Sequence, residues 1–500
     1  MLSEKKFCSL SSTQVQYALL LILLVFIIYF PVIQNEFVNW DDNINIYDVG
    51  LYHQSDALKR IWFSFDMPSY LPLTDTLWYL EAKVAGTSSH SAGFYHWVSI
   101  VLHLMNVLLV FILTGKWGFN PLISFFCAAL FGVHPLRVEN VAWATEQKSL
   151  LSGVFVWLSW IYFLKRAQQD TDSLKASFVS LVFFCFSLLS KQSAIFLPVI
   201  FILADWYRGK DFRGCRSFFI YLPYLMITFI FSSIHYYREV TLYYAAGRVT
   251  SFSALEHLLL APRVLAGYIR NFLWPMQLNL VYPKWDPGSG FLLNWVYFAV
   301  FVTAISALFL SLIRRKYRLM VFCLFSFILF LLPVSGLIDM PYLPYSFISD
   351  RHMYLPLLFV VVPVVYGLMK IPKKIGIILL CFLFIWWGKI TSDMIPFWRN
   401  SVTLYHHATS LQRDFFIGYF NLGNHYFTNG RFNDAKGAYL RCLEIQPSYL
   451  PALTNLGYVA YALQSYDEAL IRFRQVLAVQ ENPYAREGLE LVLRKISEEK

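Results

Sequence analysis

Two adjacent carboxylates, Asp41 and Asp42, follow the first apolar segment of the chain, in the sequence FVNWDDN at residues 37–43. Paired carboxylates beside an aromatic residue can perform general base catalysis, with one activating a hydroxyl while the other orients it or holds a cation. The alternative is a hydrated loop in which the aspartates cap a helix. The residues alone leave both interpretations open.

A second charged motif, HPLRVENVAWATEQK at residues 134–148, joins two apolar runs, and its charged residues are Arg137, Glu139, Glu146 and Lys148. Uncompensated charge beside lipid is costly, so we expect these side chains to pair with one another or with a ligand. Arg137 and Lys148 could hold a phosphate or pyrophosphate. A purely structural network of salt bridges is the competing interpretation.

Two further cations lie at the ends of apolar runs: Lys191 in SKQ at residues 190–192, and Arg351 in DRHMYLP at residues 350–356. A cation at the membrane boundary suits an amphiphile whose tail lies in lipid and whose phosphate lies at the interface. Each side chain could instead simply extend towards water.

The sequence also excludes several kinds of chemistry. It contains no Walker loop, Rossmann glycine pattern, GxSxG elbow or HExxH motif, which argues against nucleotide hydrolysis and against serine or zinc protease activity. The seven cysteines are scattered without a CxxC or His-Cys cluster, so we interpret them as packing residues. An activated substrate would then arrive through the membrane on a lipid carrier.

The elements that must position these residues are membrane helices. Only 14% of the 500 residues are charged and 57% are hydrophobic, against about a quarter charged in soluble proteins. Runs long enough to cross about 30 Å of hydrocarbon occur near 15–33, 95–114, 119–133, 149–164, 174–190, 193–207, 217–235, 291–313, 317–335, 351–369 and 374–391. A twelfth run, 257–275, carries His257, Arg263 and Arg270, so we expect an interfacial or re-entrant helix there.

The net charge of +10 reports topology rather than a polyanionic partner such as nucleic acid. Lys5 and Lys6 precede the first span, which predicts a retained signal anchor with residues 1–14 in the cytoplasm. Eleven spans then place seventeen basic and five acidic residues on the cytoplasmic side, as the positive-inside rule requires. The external parts include the loop at 34–94, the motif at 134–148, the boundary residues Lys191 and Arg351, and residues 401–500. Residues 401–500 contain ten basic and ten acidic side chains.

Residues 401–500 contain an internal repeat, because Leu422-Gly423 and Leu456-Gly457 are 34 residues apart. This is the period of tetratricopeptide (TPR) repeats, each of which is a pair of antiparallel helices. We predict repeats at 416–449 and 450–483, a preceding helix at 401–413 and a capping helix at 484–500. Such a domain is a protein-binding surface or, alternatively, a spacer without a ligand.

The ordered set of motifs NWDD at 39–42, HPLRVE through Lys148, SKQ at 190–192, and DR at 350–351 followed by YLP resembles a known family. The chain is similar to the transmembrane and TPR-repeat glycosyltransferases and their bacterial relatives, which belong to the GT-C superfamily with the protein O-mannosyltransferases. The resemblance spans roughly residues 30–480. It implies an all-α fold, with a GT-C-type helical bundle at 15–400 and an extracytoplasmic TPR domain.

The resemblance also implies residue roles. An acidic residue of the first external loop is the base in such enzymes, which corresponds to Asp41 with Asp42 beside it. The donor phosphate would be bound by Arg137, Lys148, Lys191 and Arg351, and the substrate site would include His134, Glu139 and Tyr354. The leaving group already carries phosphate, so we expect no cofactor and no metal, although a divalent metal is compatible with the site. Gln192 and His352 depart from the bacterial pattern, which bears on substrate identity more than on fold.

These observations predict an integral membrane glycosyltransferase that transfers a sugar from a polyprenyl-phosphate donor to an acceptor, a protein hydroxyl, on the extracytoplasmic face. The compact loops favour a bacterial inner membrane; in a eukaryote the membrane would be that of the endoplasmic reticulum. One alternative is a non-enzymatic anchor that displays TPR repeats as a scaffold. Another is a transporter, which would carry charges along several spans rather than at one face.

Overall fold

The computed structural model describes residues 11–65, 67, 69–166, 173–210, 216–245, 252–285, 291–311, 317–338, 343 and 345–498. Ten of the twenty-two charged residues counted for the predicted topology lie outside this part of the chain: Glu4, Lys5, Lys6, Asp170, Asp172, Asp211, Arg213 and residues 314–316. The chain divides into two compact units. The first unit is Met1–Glu36, Ile44–Leu278 and Tyr282–Pro396, and the second unit is Phe37–Asn43, Asn279–Val281 and Phe397–Lys500.

All regular elements in the described residues are helices, which confirms the all-α class for that part of the chain. The α-helices of the first unit are α1 (Ser12–Tyr29), α2 (Ala57–Phe63), α3 (Pro72–Ala85), α4 (Ala92–Lys116), α5 (Pro121–Val133), α6 (Val138–Ala142), α7 (Gln147–Lys165), α8 (Ser173–Ser190), α9 (Leu197–Tyr207), α10 (Arg216–Phe219), α11 (Leu222–Ala245), α12 (Ala254–Leu273), α13 (Phe291–Ser311), α14 (Arg318–Leu331), α15 (Leu357–Leu368) and α16 (Lys373–Met394).

Four described segments are long and apolar enough to span a membrane: Ser12–Gln34, Ala92–Lys116, Ser173–Ser190 and Lys373–Trp398. A fifth candidate is the pair Pro121–Val133 and Pro135–Ala142, which is bent by 61°. The chain is therefore a protein with several apolar helices suited to a membrane. Eleven complete spans remain a prediction.

Several apolar runs form shorter helices than the sequence predicted. The runs at 119–133, 193–207 and 351–369 give α5, α9 and α15, with 13, 11 and 12 residues. At 1.5 Å per residue each is about 17–20 Å long, against about 30 Å of hydrocarbon. Short 3-10 turns take up the start of two of these runs, at Gln192–Ala194 and Asp350–Met353, whereas α5 begins at Pro121 and is followed by a 3-10 turn at Pro135–Arg137.

The run at 257–275 forms α12, which begins with a capping box formed by Ser253 and Glu256. Arg263 donates to Asn294 Oδ1 at 3.0 Å and lies 4.4 Å from the ring centre of Trp285. Arg270 is exposed. This helix is not among the described segments that satisfy the criteria for a span.

The second unit contains α17 (Ser401–Leu411), α18 (Phe416–Thr428), α19 (Phe432–Ile445), α20 (Leu450–Ala462), α21 (Tyr466–Val479) and α22 (Pro483–Glu498). The repeated glycines explain how the helix pairs pack. A Cβ atom on Gly423 would lie 2.5 Å from the ring of Tyr439, and one on Gly457 would lie 2.7 Å from the ring of Phe473. Only glycine lets the two helices of each pair approach this closely.

Candidate functional site

Three cations from distant parts of the chain converge in the first unit, and we call Lys148, Lys191 and Arg351 the cation cluster. Lys148 is in the first turn of α7, Lys191 follows α8 directly, and Arg351 lies in the 3-10 turn Asp350–Met353. Each therefore sits where an apolar helix begins or ends. Within a membrane, non-helical backbone is tolerated where it is buried in protein or lines a water-filled cavity.

Glu146 is the shared partner of the cation cluster and is fully buried. Lys191 Nζ lies 2.9 and 3.3 Å from its two carboxylate oxygens, and Lys148 Nζ lies 3.6 Å away. Arg351 Nε is 4.0 Å away. Ser149 Oγ donates to the same carboxylate and accepts from Lys191 Nζ at 2.6 Å.

These charges shift each other's protonation. Burial alone would raise the pKa of Glu146, but Lys191, Lys148 and Arg351 outweigh it and lower the pKa to about 2. Burial lowers the pKa of Lys191 to about 8, against the opposing attraction of Glu146. The carboxylate is therefore ionised at neutral pH, and its attraction offsets part of the effect of burial on Lys191.

A second carboxylate, Glu139, fixes the orientation of Arg351. Its oxygens accept from Arg351 Nη1 at 2.8 Å and from the Arg351 backbone N–H at 2.9 Å. Asn140 Nδ2 donates to the Arg351 carbonyl at 3.1 Å. The motif at 134–148 thus holds the 3-10 turn at 350–353, and the structural salt-bridge network that was one reading of this motif is present.

Trp143 and Asp350 complete the surroundings of Arg351. The ring of Trp143 lies 5.5 Å from the Arg351 guanidinium and 5.7 Å from Lys148 Nζ, so one indole supports two cations. Asp350 accepts from Tyr282 OH at 2.8 Å. Burial and the neighbouring Glu139 raise the pKa of Asp350.

Arg137, the fourth cation proposed for phosphate, has different surroundings. It is fully buried, and its guanidinium donates to the carbonyls of Phe131 and Met353 at 3.2 and 3.1 Å. The side chains of the cation cluster, in contrast, keep 14–19% of their surface exposed. In this arrangement Arg137 supports the turn that carries Arg351, while the side chains of the cation cluster are partly exposed.

His134 and Tyr354, expected in the substrate site, are also buried. His134 Nδ1 accepts from the backbone N–H of Leu136 at 3.2 Å, and its ring stacks on Phe272 with centres 5.0 Å apart. Tyr354 OH is 3.0 Å from His103 Nδ1. His134 therefore caps the 3-10 turn at 135–137, which explains why histidine precedes proline there.

Asp41 and Asp42 belong to the second unit. Asp42 is fully buried, and its Oδ2 accepts from the Val38 backbone N–H at 2.9 Å, so this carboxylate binds the chain that precedes it and does not cap a following helix through this bond. Asp41 is half-buried. The two carboxylates therefore have different environments, and Asp41 is the more accessible of the pair.

The residues before Asp41 bind the helices of the second unit. The Asn39 backbone N–H donates to Ser401 Oγ at 3.0 Å. The ring of Trp40 lies 6.4 and 6.1 Å from those of Tyr405 and Phe415. This segment after the first span is thus part of the core at the start of the C-terminal helices.

Sequence reasoning missed two buried carboxyls on α3, Asp75 and Glu81. Glu81 Oε1 accepts from Gln147 Nε2 at 2.9 Å, and Thr74 Oγ1 donates to the Ser190 carbonyl at 2.9 Å, so α3 contacts the neighbours of Lys148 and Lys191. Burial raises the pKa of both carboxyls to about 8. The only signal in the sequence was an amphipathic stretch in the loop at 34–94.

No group of three or more His, Cys, Asp or Glu side chains in the described residues is arranged to hold a metal ion. The site in the first unit contains three partly exposed cations, which are held by two buried carboxylates, Glu139 and Glu146. Such an arrangement can bind a phosphate group and stabilise negative charge that develops on it.

Comparison with known proteins gives two matches. Residues 416–449 match the family model described as tetratricopeptide repeat. The chain is similar to Protein O-mannosyl-transferase F38B6.6 of Caenorhabditis elegans, with 25% identity over 468 residues, which is 88% of this chain and 64% of that protein. The chain thus spans less than two thirds of this relative's length. No solved structure matches.

Proposed function

We propose that the chain is an integral membrane glycosyltransferase that takes a sugar from a polyprenyl-phosphate donor and transfers it to a protein hydroxyl on the extracytoplasmic face. The observation that carries the proposal is the cation cluster: three partly exposed cations from separate helix ends meet around one buried carboxylate. The similarity to a protein O-mannosyl-transferase supports the reaction class.

The chemistry requires two kinds of groups. Displacement at the anomeric carbon breaks the bond to the lipid phosphate, and cations stabilise the charge that collects on the departing oxygen. The acceptor hydroxyl must lose its proton to a base as it attacks. We assign the first task to Lys148, Lys191 and Arg351, and the second to Asp41 on the basis of the resemblance, with Asp42 shaping its loop. This division of tasks requires no metal.

The chain segments that make up the second unit support its proposed position on the extracytoplasmic side. Residues 37–43, 279–281 and 397–500 form one compact unit, and in the proposed topology all three segments lie on the same side of the membrane. The chain must then cross an even number of times between 43 and 279, and again between 281 and 397. The proposed spans satisfy this with six and four crossings, whereas an additional span at 257–275 would give seven. A cytoplasmic amino terminus then places the TPR repeats outside.

The test is transfer of labelled sugar in membranes that contain the protein, from polyprenyl-phosphate sugars and, separately, from nucleotide sugars. We expect transfer from the lipid donor only, and a loss of about 10²–10⁴-fold in Asp41→Asn, because that variant removes the base. Full activity of Asp41→Asn would contradict the assignment of Asp41 as the base. Absence of transfer from every donor would favour the membrane-anchored scaffold.

A further inference from the structure

Glu146 has more positive partners than one carboxylate needs. Its oxygens contact Lys191 Nζ at 2.9 Å and Lys148 Nζ at 3.6 Å, with Arg351 Nε at 4.0 Å. Asn140 Nδ2 at 3.3 Å and the Ser149 hydroxyl add two neutral donors. Convergent cations and neutral donors around one anion also suit the oxygens of a bound phosphate group.

The space beside two partners of this carboxylate, Lys191 and Arg351, is small. A cavity there, whose lining includes Ser149, Lys191 and Arg351 as well as apolar side chains such as Phe330 and Val334, has a volume of about 40 Å³. That is room for about one or two water molecules. A phosphate group has five heavy atoms, so side chains around this cavity must move before a phosphate can contact both Lys191 and Ser149 there.

We propose that Glu146 is a resident counter-ion that occupies the phosphate position, is displaced from Lys191 and Lys148 when the lipid phosphate binds, and pairs with them again when the product phosphate leaves. This inference rests on the proposed function and extends it from donor binding to product release. Arg351 keeps its orientation throughout, because Glu139 binds both its guanidinium and its backbone N–H.

The arrangement solves a problem that follows from the reaction. Three cations that stabilise a departing phosphate also retain it after transfer, and slow release would limit turnover. A carboxylate on the same cations competes with the product and raises its dissociation constant. Without a substrate, the same carboxylate holds two lysines together that would otherwise repel each other.

The test is binding of farnesyl phosphate to the purified full-length protein in detergent, compared with farnesol and with inorganic phosphate. We expect Glu146→Gln, which keeps the shape of the side chain but removes the competing charge, to bind farnesyl phosphate at least tenfold more tightly than wild type. Glu146→Asp keeps the charge on a shorter side chain and should lie in between. Glu81→Gln is the matched control, because Glu81 is similarly buried but accepts from the amide of Gln147.

Each result distinguishes a displaceable counter-ion from a carboxylate that only positions the cations, or tests the phosphate-binding role itself. Unchanged or weaker binding in folded Glu146→Gln would show that the carboxylate only positions the cations, and would overturn this inference alone. If wild type binds farnesyl phosphate no better than farnesol, both the inference and the phosphate-binding role of the cluster fail. If inorganic phosphate binds as tightly as farnesyl phosphate, the site takes a free anion and the lipid-phosphate form of the inference fails.

Glu146→Gln leaves three cations without their carboxylate, so it is expected to be less stable than wild type. Its melting temperature should then rise more with farnesyl phosphate than that of wild type, since the ligand replaces the lost anion. An equal or smaller rise would contradict the inference. In the transfer assay the same variant should show a lower KM together with a lower kcat.

Discussion

At the scale of single residues, the protonation of Glu81 is set mainly by its burial. Its side chain is 3% exposed, and burial raises its pKa from 4.5 to about 8. Between these values the folded protein keeps a proton that the unfolded chain has lost. The stability that this group contributes is therefore complete below about pH 4.5 and falls by about 1.4 kcal/mol per pH unit as the pH rises towards 8.

We predict that Glu81→Gln removes this part of the pH dependence. Thermal unfolding of the full chain in detergent should show a midpoint that decreases between pH 5.5 and 8, and the decrease should be shallower in Glu81→Gln than in wild type. Asp75, whose pKa burial also raises to about 8, would maintain the remaining slope. Glu444→Gln is the control, because that side chain is 61% exposed. Parallel curves for wild type and Glu81→Gln would contradict the role of burial.

At the scale of elements, the helix pairs of the second unit depend on small residues at fixed positions. Gly423 on α18 faces the ring of Tyr439 on α19, and an added Cβ would lie 2.5 Å from it. Gly437 is in the middle of α19, and no atom lies within 4 Å of the corresponding Cβ position. The same substitution should therefore have opposite effects at these two sites.

We predict that Gly423→Ala destabilises the C-terminal helices by about 1–3 kcal/mol through overpacking. Gly437→Ala should stabilise them by about 0.5–1 kcal/mol, because alanine is the better helix former. Limited proteolysis of the full chain during a temperature ramp, with the cleavage of residues 401–500 as the readout, measures both. If Gly423→Ala resisted cleavage as well as Gly437→Ala, the close helix contact would be wrong.

The elements also show which features of the structure could be predicted from the sequence. The period of 34 residues located the TPR repeat, because the spacing of large and small side chains is a local property. The charged motifs at 134–148, 190–192 and 350–356 were visible as breaks between apolar runs. That these breaks meet around Glu146 depends on long-range packing, which no local pattern records.

Two further features of the site could not be found from the sequence. Glu81 lies in a loop segment where an amphipathic pattern normally indicates an exposed carboxylate, so its burial against Gln147 was not visible. Arg137 lies in the same motif as Lys148, and only the packing shows that it is fully buried while Lys148 is 19% exposed. Charge type was predictable for these residues, but accessibility was not.

At the scale of the whole molecule, the chain joins a set of apolar helices to a TPR-containing C-terminal unit. The second unit takes in residues 37–43 and 279–281 as well as the C-terminal helices. In the proposed topology all three segments are extracytoplasmic, as are the loops that carry the cation cluster, and most of the remaining positive charge lies on the cytoplasmic loops. An acceptor protein that meets the TPR helices would then be on the side where a lipid-linked donor presents its sugar.

The central claim is that the cation cluster binds the phosphate of a polyprenyl-linked donor during sugar transfer on the extracytoplasmic side. The most direct measurement is transfer of labelled sugar by sealed vesicles of known orientation, comparing wild type with Lys191→Met and with Lys389→Met. Lys389 is the matched control, because it pairs with Asp393 on α16 and is 72% exposed.

We predict that Lys191→Met lowers kcat/KM at least about 100-fold, as expected for loss of one group that stabilises the leaving anion, while Lys389→Met stays within about twofold of wild type. In sealed vesicles whose interior corresponds to the extracytoplasmic side, the labelled product should resist added protease. It should become sensitive to protease once detergent opens these vesicles. Equal activity of Lys191→Met and wild type, or product digested in intact vesicles of that orientation, would contradict the proposed site or its side of the membrane.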